Sequence, residues 1–299
     1  MEKTSFYDQI DKNKRNSALL GIIIFSFLVI LVYVISQILA PELSLIFLIF
    51  AGIFMLIYTY GTYNYGDKVV LAATKARPID EDDKRFVHLV NVVEGLSIAA
   101  GTPKPKIYVI NSDEINAFAT GKDPKHASIA VTTGLLENLK RDEIEGVIGH
   151  ELSHVRNFDI RFATFVAVLV GLVAILSDLL LRSFWYGGGK RDREKNNLGL
   201  LILVGFILAI FAPILARLVQ FSLSRKREYL ADASSAELTR YPEGLASALE
   251  KIMNINQGKM KVSEAVSHLF FADPNKSALD SLYATHPPIK ERIKILRSM

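Results

Sequence analysis

Two histidines four residues apart, with a glutamate after the first, form His150-Glu151-Leu152-Ser153-His154. The surrounding sequence predicts a helix from Asp142 to about Phe158. Residues four apart on a helix share a face, so both imidazoles can aim at one metal ion. Glu151 lies on the adjoining edge, within reach of water beside that ion. Water at neutral pH is a poor nucleophile. A zinc ion lowers the pKa of water it holds, and a carboxylate takes the proton. The pattern fixes only three positions and also arises by chance on surface helices. Three features favour the metal reading. Asp142-Glu143, beside Arg141, is a helix-start signal; Gly146-Val147-Ile148-Gly149 is small and apolar, as in a packed helix; and a candidate third ligand follows later.

A hydrolytic zinc site wants a third protein ligand and an open position. The chain has no cysteine, so the ligands must be histidines and carboxylates. His88, His126 and His268 read as ordinary surface or core residues. Glu228 is the better candidate, in the helical stretch Ser224-Arg225-Lys226-Arg227-Glu228-Tyr229-Leu230-Ala231-Asp232. The competing reading is a solvated acid paired with Arg225 or Lys226. Asp232, one turn on, is placed to accept a hydrogen bond from a ligand histidine.

These residues must be positioned by a chain of 299 residues, half of them hydrophobic, with a mean hydropathy of +0.26. That is too apolar for an ordinary soluble protein, and four runs carry most of the excess. Ala18 to Ala40 is free of charge and long enough to span a bilayer. A cleaved signal peptide fits less well, because no small-residue cleavage site leads into a soluble domain. Pro41-Glu42 makes a turn, and a second run goes from Leu43 to about Tyr60, where Tyr58, Tyr60, Tyr63 and Tyr65 gather as at a lipid–water interface. Phe162 to Leu181 is the third run and Leu198 to Ala216 the fourth. The net charge of +4 is modest, and no basic block with interleaved aromatics suggests nucleic acid.

Between the second and third runs, Lys68 to Ala76 continues a helix out of the membrane, and Asp82 to Ala100 has helical apolar spacing. Lys106–Ile110, Asn116–Thr120 and Ser128–Thr132 read as three short strands, followed by a short helix over Gly134–Lys140. The free edge of that sheet can pair with an extended peptide, or it only supports the helix. Asn116, Ala117 and Phe118 are the candidate substrate-edge residues. Residues 241–299 read as helical and soluble, broken at His286-Pro287-Pro288.

The order HExxH, hydrophobic hairpin, Arg227-Glu228-Tyr229-Leu230-Ala231-Asp232, then Thr285-His286-Pro287-Pro288 resembles the HtpX family of membrane zinc metalloproteases, relatives of the CAAX prenyl proteases. Asn116–Gly121, Thr132–Leu136 and His150–Asp159 are also similar to that family's signatures, and the resemblance spans nearly the whole chain. It implies one zinc ion per chain, held by His150, His154 and Glu228, with Glu151 as catalytic base. Ser153 stands where the family often has glycine, a small-for-small change. The expected fold is a mainly α integral membrane protein, with four transmembrane helices and a gluzincin-like zinc protease domain that includes a small β-sheet. The expected divisions are a transmembrane hairpin over 1–65, the first part of the protease domain over 66–158, a second hairpin over 159–221, and the rest of the domain over 222–299.

If His154 and Glu228 meet at one ion, an even number of crossings separates them, and two runs do. Basic residues flank the runs mostly on the catalytic side, which predicts a multi-pass cell-membrane protein with its catalytic domain in the cytoplasm. The opposing loop over 182–197 is itself basic and fits this poorly. At about 1.5 Å per helical residue, the zinc lies roughly 10–20 Å from the bilayer. The expected reaction is peptide-bond hydrolysis, with polypeptide substrates, chiefly membrane proteins. His286 is the candidate second electrophile for the oxyanion, with Tyr229 or Arg292 as alternatives; His286 also reads as a simple loop residue. The resemblance implies quality control of misfolded membrane proteins. Such a protease is expected to rest in a blocked or zinc-free state, with segment 187–197 or 254–280 as a candidate cover for its cleft. Other readings are a prenyl-protein protease, for which four spans look too few to enclose a lipid chamber, and a zinc-stapled scaffold, which would normally use four protein ligands. A transporter fits worst, since Asp178 is the only acid deep in a hydrophobic run.

Overall fold

The computed structural model describes residues 41–168, 171, 225–260, 262–275 and 287–299, with scattered positions between 15 and 37. Most of the first run, more than half of the third, the whole fourth run, the 182–197 loop and His286 lie outside the described residues.

A 3-10 turn at Pro41–Leu43 leads into helix α1, Ser44–Ala73. The second hydrophobic run and the helix expected to leave the membrane are thus one continuous rod. Over Pro41–Ala73 its mean hydropathy reaches 2.3, and none of its most apolar window is buried by protein. Among the described residues it is the one helix long and apolar enough to cross a bilayer. Thr74 and the left-handed Lys75 end it, and the chain turns into the two-residue strand β1, Arg77–Pro78.

Helix α2 runs over Val87–Ala100, five residues later than expected. The delay has a local cause: the Asp80–Asp83 stretch forms turns, with Phe86 N–H and Val87 N–H donating to Asp83 C=O at 2.8 and 3.2 Å. Gly101, at φ +67°, closes the helix. Strands β2 (Lys106–Ile110), β3 (Ala117–Gly121) and β4 (Ala127–Thr132) follow. The sheet order is β1-β2-β4-β3, so there are four strands where three were read. A two-residue strand has no periodicity for a sequence to display. β2 lies parallel to β4, and β3 antiparallel to it.

Short helix α3, Thr133–Asn138, leads to α4, Arg141–Arg156, which carries HExxH. Glu143 opens α4 by accepting from Lys140 N–H at 2.6 Å. After α4 the chain turns through Phe158, at φ +60°, into a helical stretch over 159–168. Beyond the undescribed residues come α5 (Arg225–Thr239), α6 (Pro242–Ile255), the single turn α7 (Glu264–Ser267) and α8 (Ile289–Leu296).

Both faces of the sheet are covered. Ile107, Ala117, Ala119, Ile129 and Val131 pack with α2, α4 and α6. Phe118, Ala130 and Ile110 pack with Val70 and Leu71 of α1, Ala163, Ala167 and Phe270. Alternate strand residues serve opposite layers, as the two-residue strand period requires. Two glycines let α4 sit close to its neighbours. A Cβ on Gly146 would lie 2.6 Å from Leu245 N on α6, and one on Gly149 would lie 2.9 Å from Ser235 Oγ on α5. Ser235 Oγ donates to Gly146 C=O at 2.6 Å across the same contact.

Candidate active site

α4 presents His150 and His154 on one face, and α5 brings Glu228 against them. The two Nε2 atoms are 3.2 Å apart. Glu228 Oε1 lies 3.5 Å from His154 Nε2, and its Oε2 lies 3.8 Å from His150 Nε2. One donor atom from each of the three residues can be chosen with all three within 4.8 Å of one another. His150 and Glu228 are buried, while His154 is half-buried at the mouth.

The opposite ring nitrogens fix the tautomers. His150 Nδ1 is 2.9 Å from Asp232 Oδ1, and His154 Nδ1 is 3.0 Å from Asp159 Oδ2. A carboxylate accepts only, so each Nδ1 carries the proton and each Nε2 turns a lone pair inward. Two lone pairs and a carboxylate facing one another in a buried space repel unless a cation lies between them. A tetrahedral ion with bonds of roughly 2.0–2.2 Å needs donors about 3.3–3.6 Å apart. The two imidazole nitrogens, 3.2 Å apart, stand close to that spacing, the Glu228 carboxylate turns one oxygen toward each ring, and the donor set of two imidazoles and one carboxylate suits zinc chemistry.

The electrostatics agree. Burial pushes His150 down to about 4, against the pull of Asp232, and keeps it a neutral donor. Burial also opposes charge on His154, but the Asp159 hydrogen bond and the Glu228 carboxylate outweigh it and lift the ring to about 9. Without a metal, the site thus holds a proton where a cation fits. Burial works against the Asp232 carboxylate too, yet Arg292 and His150 hold it at about 2.

Arg292 arrives from α8. Its Nε donates to Asp232 Oδ2 at 2.8 Å and its Nη2 to Asp232 Oδ1 at 2.6 Å. The guanidinium is fully buried, with Nη1 4.0 Å from Glu228 Oε2 and without a hydrogen bond. One arginine therefore locks the carboxylate that locks His150. Phe271 lies over the guanidinium at 4.9 Å. Arg227 Nη1 makes the analogous contact behind His154, 3.2 Å from Asp159 Oδ1.

The cleft is lined by Glu151, the three donors, Ala119, Ile160, Ala163 and residues 268–271. Glu151 is buried beside the donors. Asp232 stands where spacing put it. Ala117 and Phe118 lie on β3, and Asn116 directly precedes it. The Phe118 side chain is fully buried against Phe270, and Asn116 is engaged with Ala272. Ala119 is the strand residue that reaches the cleft. His268 also lines it, although sequence marked it as ordinary; nothing local to His268 signals that position. Asp159 was missed as well. Its contact with His154 depends on the left-handed turn at Phe158, which the sequence does not signal. Tyr229 is partly buried on α5, and His286 lies outside the described residues.

Residues 83–299 match the family described as Peptidase family M48. The chain belongs to that family. Among its relatives are three proteins called Protease HtpX homolog. That of Dictyoglomus thermophilum is 46% identical, covering 100% of this chain and 96% of its own length. That of Caldanaerobacter subterraneus subsp. tengcongensis is 51% identical over 84% of each chain. That of Streptococcus uberis is 42% identical over 98% and 99%. These place the M48 protein on the HtpX branch. A crystal structure of S. mikatae Ste24p is 21% identical, with a TM-score of 0.49, and covers 96% of this chain and 66% of that one.

Proposed function

We propose that this HtpX-family protein is a zinc-dependent endopeptidase that hydrolyses peptide bonds beside a membrane. The carrying observation is the convergence of His150 Nε2, His154 Nε2 and the Glu228 carboxylate, with one donor atom from each within 4.8 Å of the other two and Glu151 lining the same cleft. Those three residues hold the metal, one ion per chain. Bound there, zinc supplies a Lewis acid that lowers the pKa of water and polarises a peptide carbonyl. Glu151 takes the proton of the attacking water and passes it to the leaving amine. Asp232 and Asp159 keep the imidazoles in the donor tautomer. The outer edge of β3 holds the peptide backbone. His286 stabilises the oxyanion, a role tested by the loss of kcat at unchanged KM in His286→Ala.

Three donors with an acid at their side, rather than four donors, favour catalysis over a zinc staple. The four hydrophobic runs and the charge bias of the sequence support a multi-pass protein with the site in the cytoplasm, and the exposed apolar rod α1 suits one of its spans. Misfolded membrane proteins are the substrates such a location favours.

The test is zinc content and casein cleavage by the detergent-purified wild type and Glu151→Gln. Zinc in both, with cleavage in the wild type alone, supports the proposal. Zinc in neither, after adding it back, overturns the ligand set.

A further inference from the structure

Thr132 N–H donates to Asn116 C=O at 3.0 Å, which sets the phase of the β3–β4 ladder. Asn116, Phe118 and Thr120 turn their backbone groups toward β4, so Ala117, Ala119 and Gly121 turn theirs outward. Gly121 N–H donates to Thr164 Oγ1 at 3.1 Å. Ala117 C=O accepts from Phe271 N–H at 2.8 Å. Ala119, between them, lines the cleft, and its outward groups meet no partner among the described residues. An added peptide strand would use Ala117 and Ala119. The chain's own residues already use Ala117.

Those residues form a turn and bend after α7 and are fastened to β3 and to the residue before it. Asn116 Nδ2 donates to Ala272 C=O at 2.8 Å, and its Oδ1 accepts from Ala272 N–H at 3.0 Å. The Phe271 ring meets His150 edge-on, 4.9 Å between centroids, and covers Arg292. Phe270 packs on Phe118, also at 4.9 Å. His268, Leu269, Phe270 and Phe271 line the cleft beside the metal-site residues and narrow it.

We infer that residues 268–272 form a substrate-mimicking strap, lying where an extended peptide pairs with β3, so that substrate enters only by displacing them. The inference rests on the peptidase reading above. The root of the strap is tied independently of its tip. Glu114 accepts from the backbone N–H groups of Gln257, Gly258 and Lys259. Met260 N–H donates to Pro274 C=O at 3.2 Å, and Asn275 bonds Val262 in both directions. The tip can therefore leave β3 while its loop stays closed at the base. What leaves also says what enters: an extended segment that offers a large apolar side chain for the place of Phe271, as unfolded or membrane-derived chains do.

The test uses the full-length zinc-loaded protein in detergent and a short quenched-fluorescent peptide with a central phenylalanine. Hydrogen exchange is read on Glu151→Gln, which binds the peptide without cutting it. On adding peptide, the Phe271 amide is expected to lose protection and the Ala119 amide to gain it. Peptide bound, by fluorescence anisotropy, with Phe271 still protected overturns the strap. In a second arm, Phe271→Ala is expected to raise kcat/KM by about tenfold or more, because the competent fraction of molecules rises. An unchanged or lower kcat/KM, at equal zinc content and equal thermal midpoint, also overturns it. If wild type and Phe271→Ala hold zinc and neither cuts any peptide, the peptidase reading fails instead; the exchange arm still reports on the strap.

Discussion

At the scale of single residues, the two histidines share one task and are prepared differently. His150 is neutral by burial and is tied through Asp232 to Arg292. His154 leans on Asp159, which Arg227 approaches from behind. The arrangement separates holding a metal from using it. Glu151→Gln keeps the side-chain shape but cannot take a proton, so activity should fall roughly 10²–10⁴-fold with zinc content unchanged. Peptide kinetics beside metal analysis checks this, and lost zinc would show that Glu151 supports the site itself. Asp232→Asn should act the other way round. It frees the His150 tautomer and leaves Arg292 buried without its carboxylate, so zinc affinity should drop about 10–100-fold. Competition with a chelator measures that drop, and wild-type affinity in this variant would remove Asp232 from the site.

At the scale of elements, the site depends on how closely α4 approaches α5 and α6. Gly146 lies against the Leu245 backbone, which cannot swing aside as a side chain can. Gly146→Ala should therefore wedge the two helices apart and destabilise by roughly 1–3 kcal/mol, read as a lower thermal midpoint in detergent. An unshifted midpoint would mean that α6 slides freely along α4. This contact also shows what a sequence can display. The HExxH spacing and the four-residue step from Glu228 to Asp232 are local periodicities, so helix faces carried them plainly. β2 and β4 lie within a residue of their expected bounds because alternation is local too. Asp159, Arg292 and the strap were harder. Arg292 serves His150 from the far end of the chain, and only packing brings α8 to that point. The Asp159 contact exists because Phe158 adopts a left-handed conformation, which its residue type does not announce. The proposed strap falls within region 254–280, and its one backbone bond to β3, from Phe271 to Ala117, has no local pattern for a sequence to display.

At the scale of the molecule, the donors come from two helices that lie far apart in the sequence. His150 and His154 sit on α4, ahead of the third and fourth hydrophobic runs, and Glu228 sits on α5, after them. A metal bound to all three is thus a cross-link between α4 and α5. An unfolded chain has no such site, so binding stabilises the folded form. Free zinc at about 100 times its Kd should add roughly 2.7 kcal/mol. For a folded unit of this size that corresponds to a rise of roughly 5–10 °C in thermal midpoint. Chelated protein titrated with zinc in detergent, followed by circular dichroism on heating, measures it. Glu151→Gln should show the full rise, because catalysis plays no part in it. Glu228→Gln should lose most of the rise, because the two histidines alone lie on one helix and link nothing. Equal rises in Glu228→Gln and wild type would place the third ligand elsewhere and break the connection between α4 and α5 on which the proposed chemistry depends.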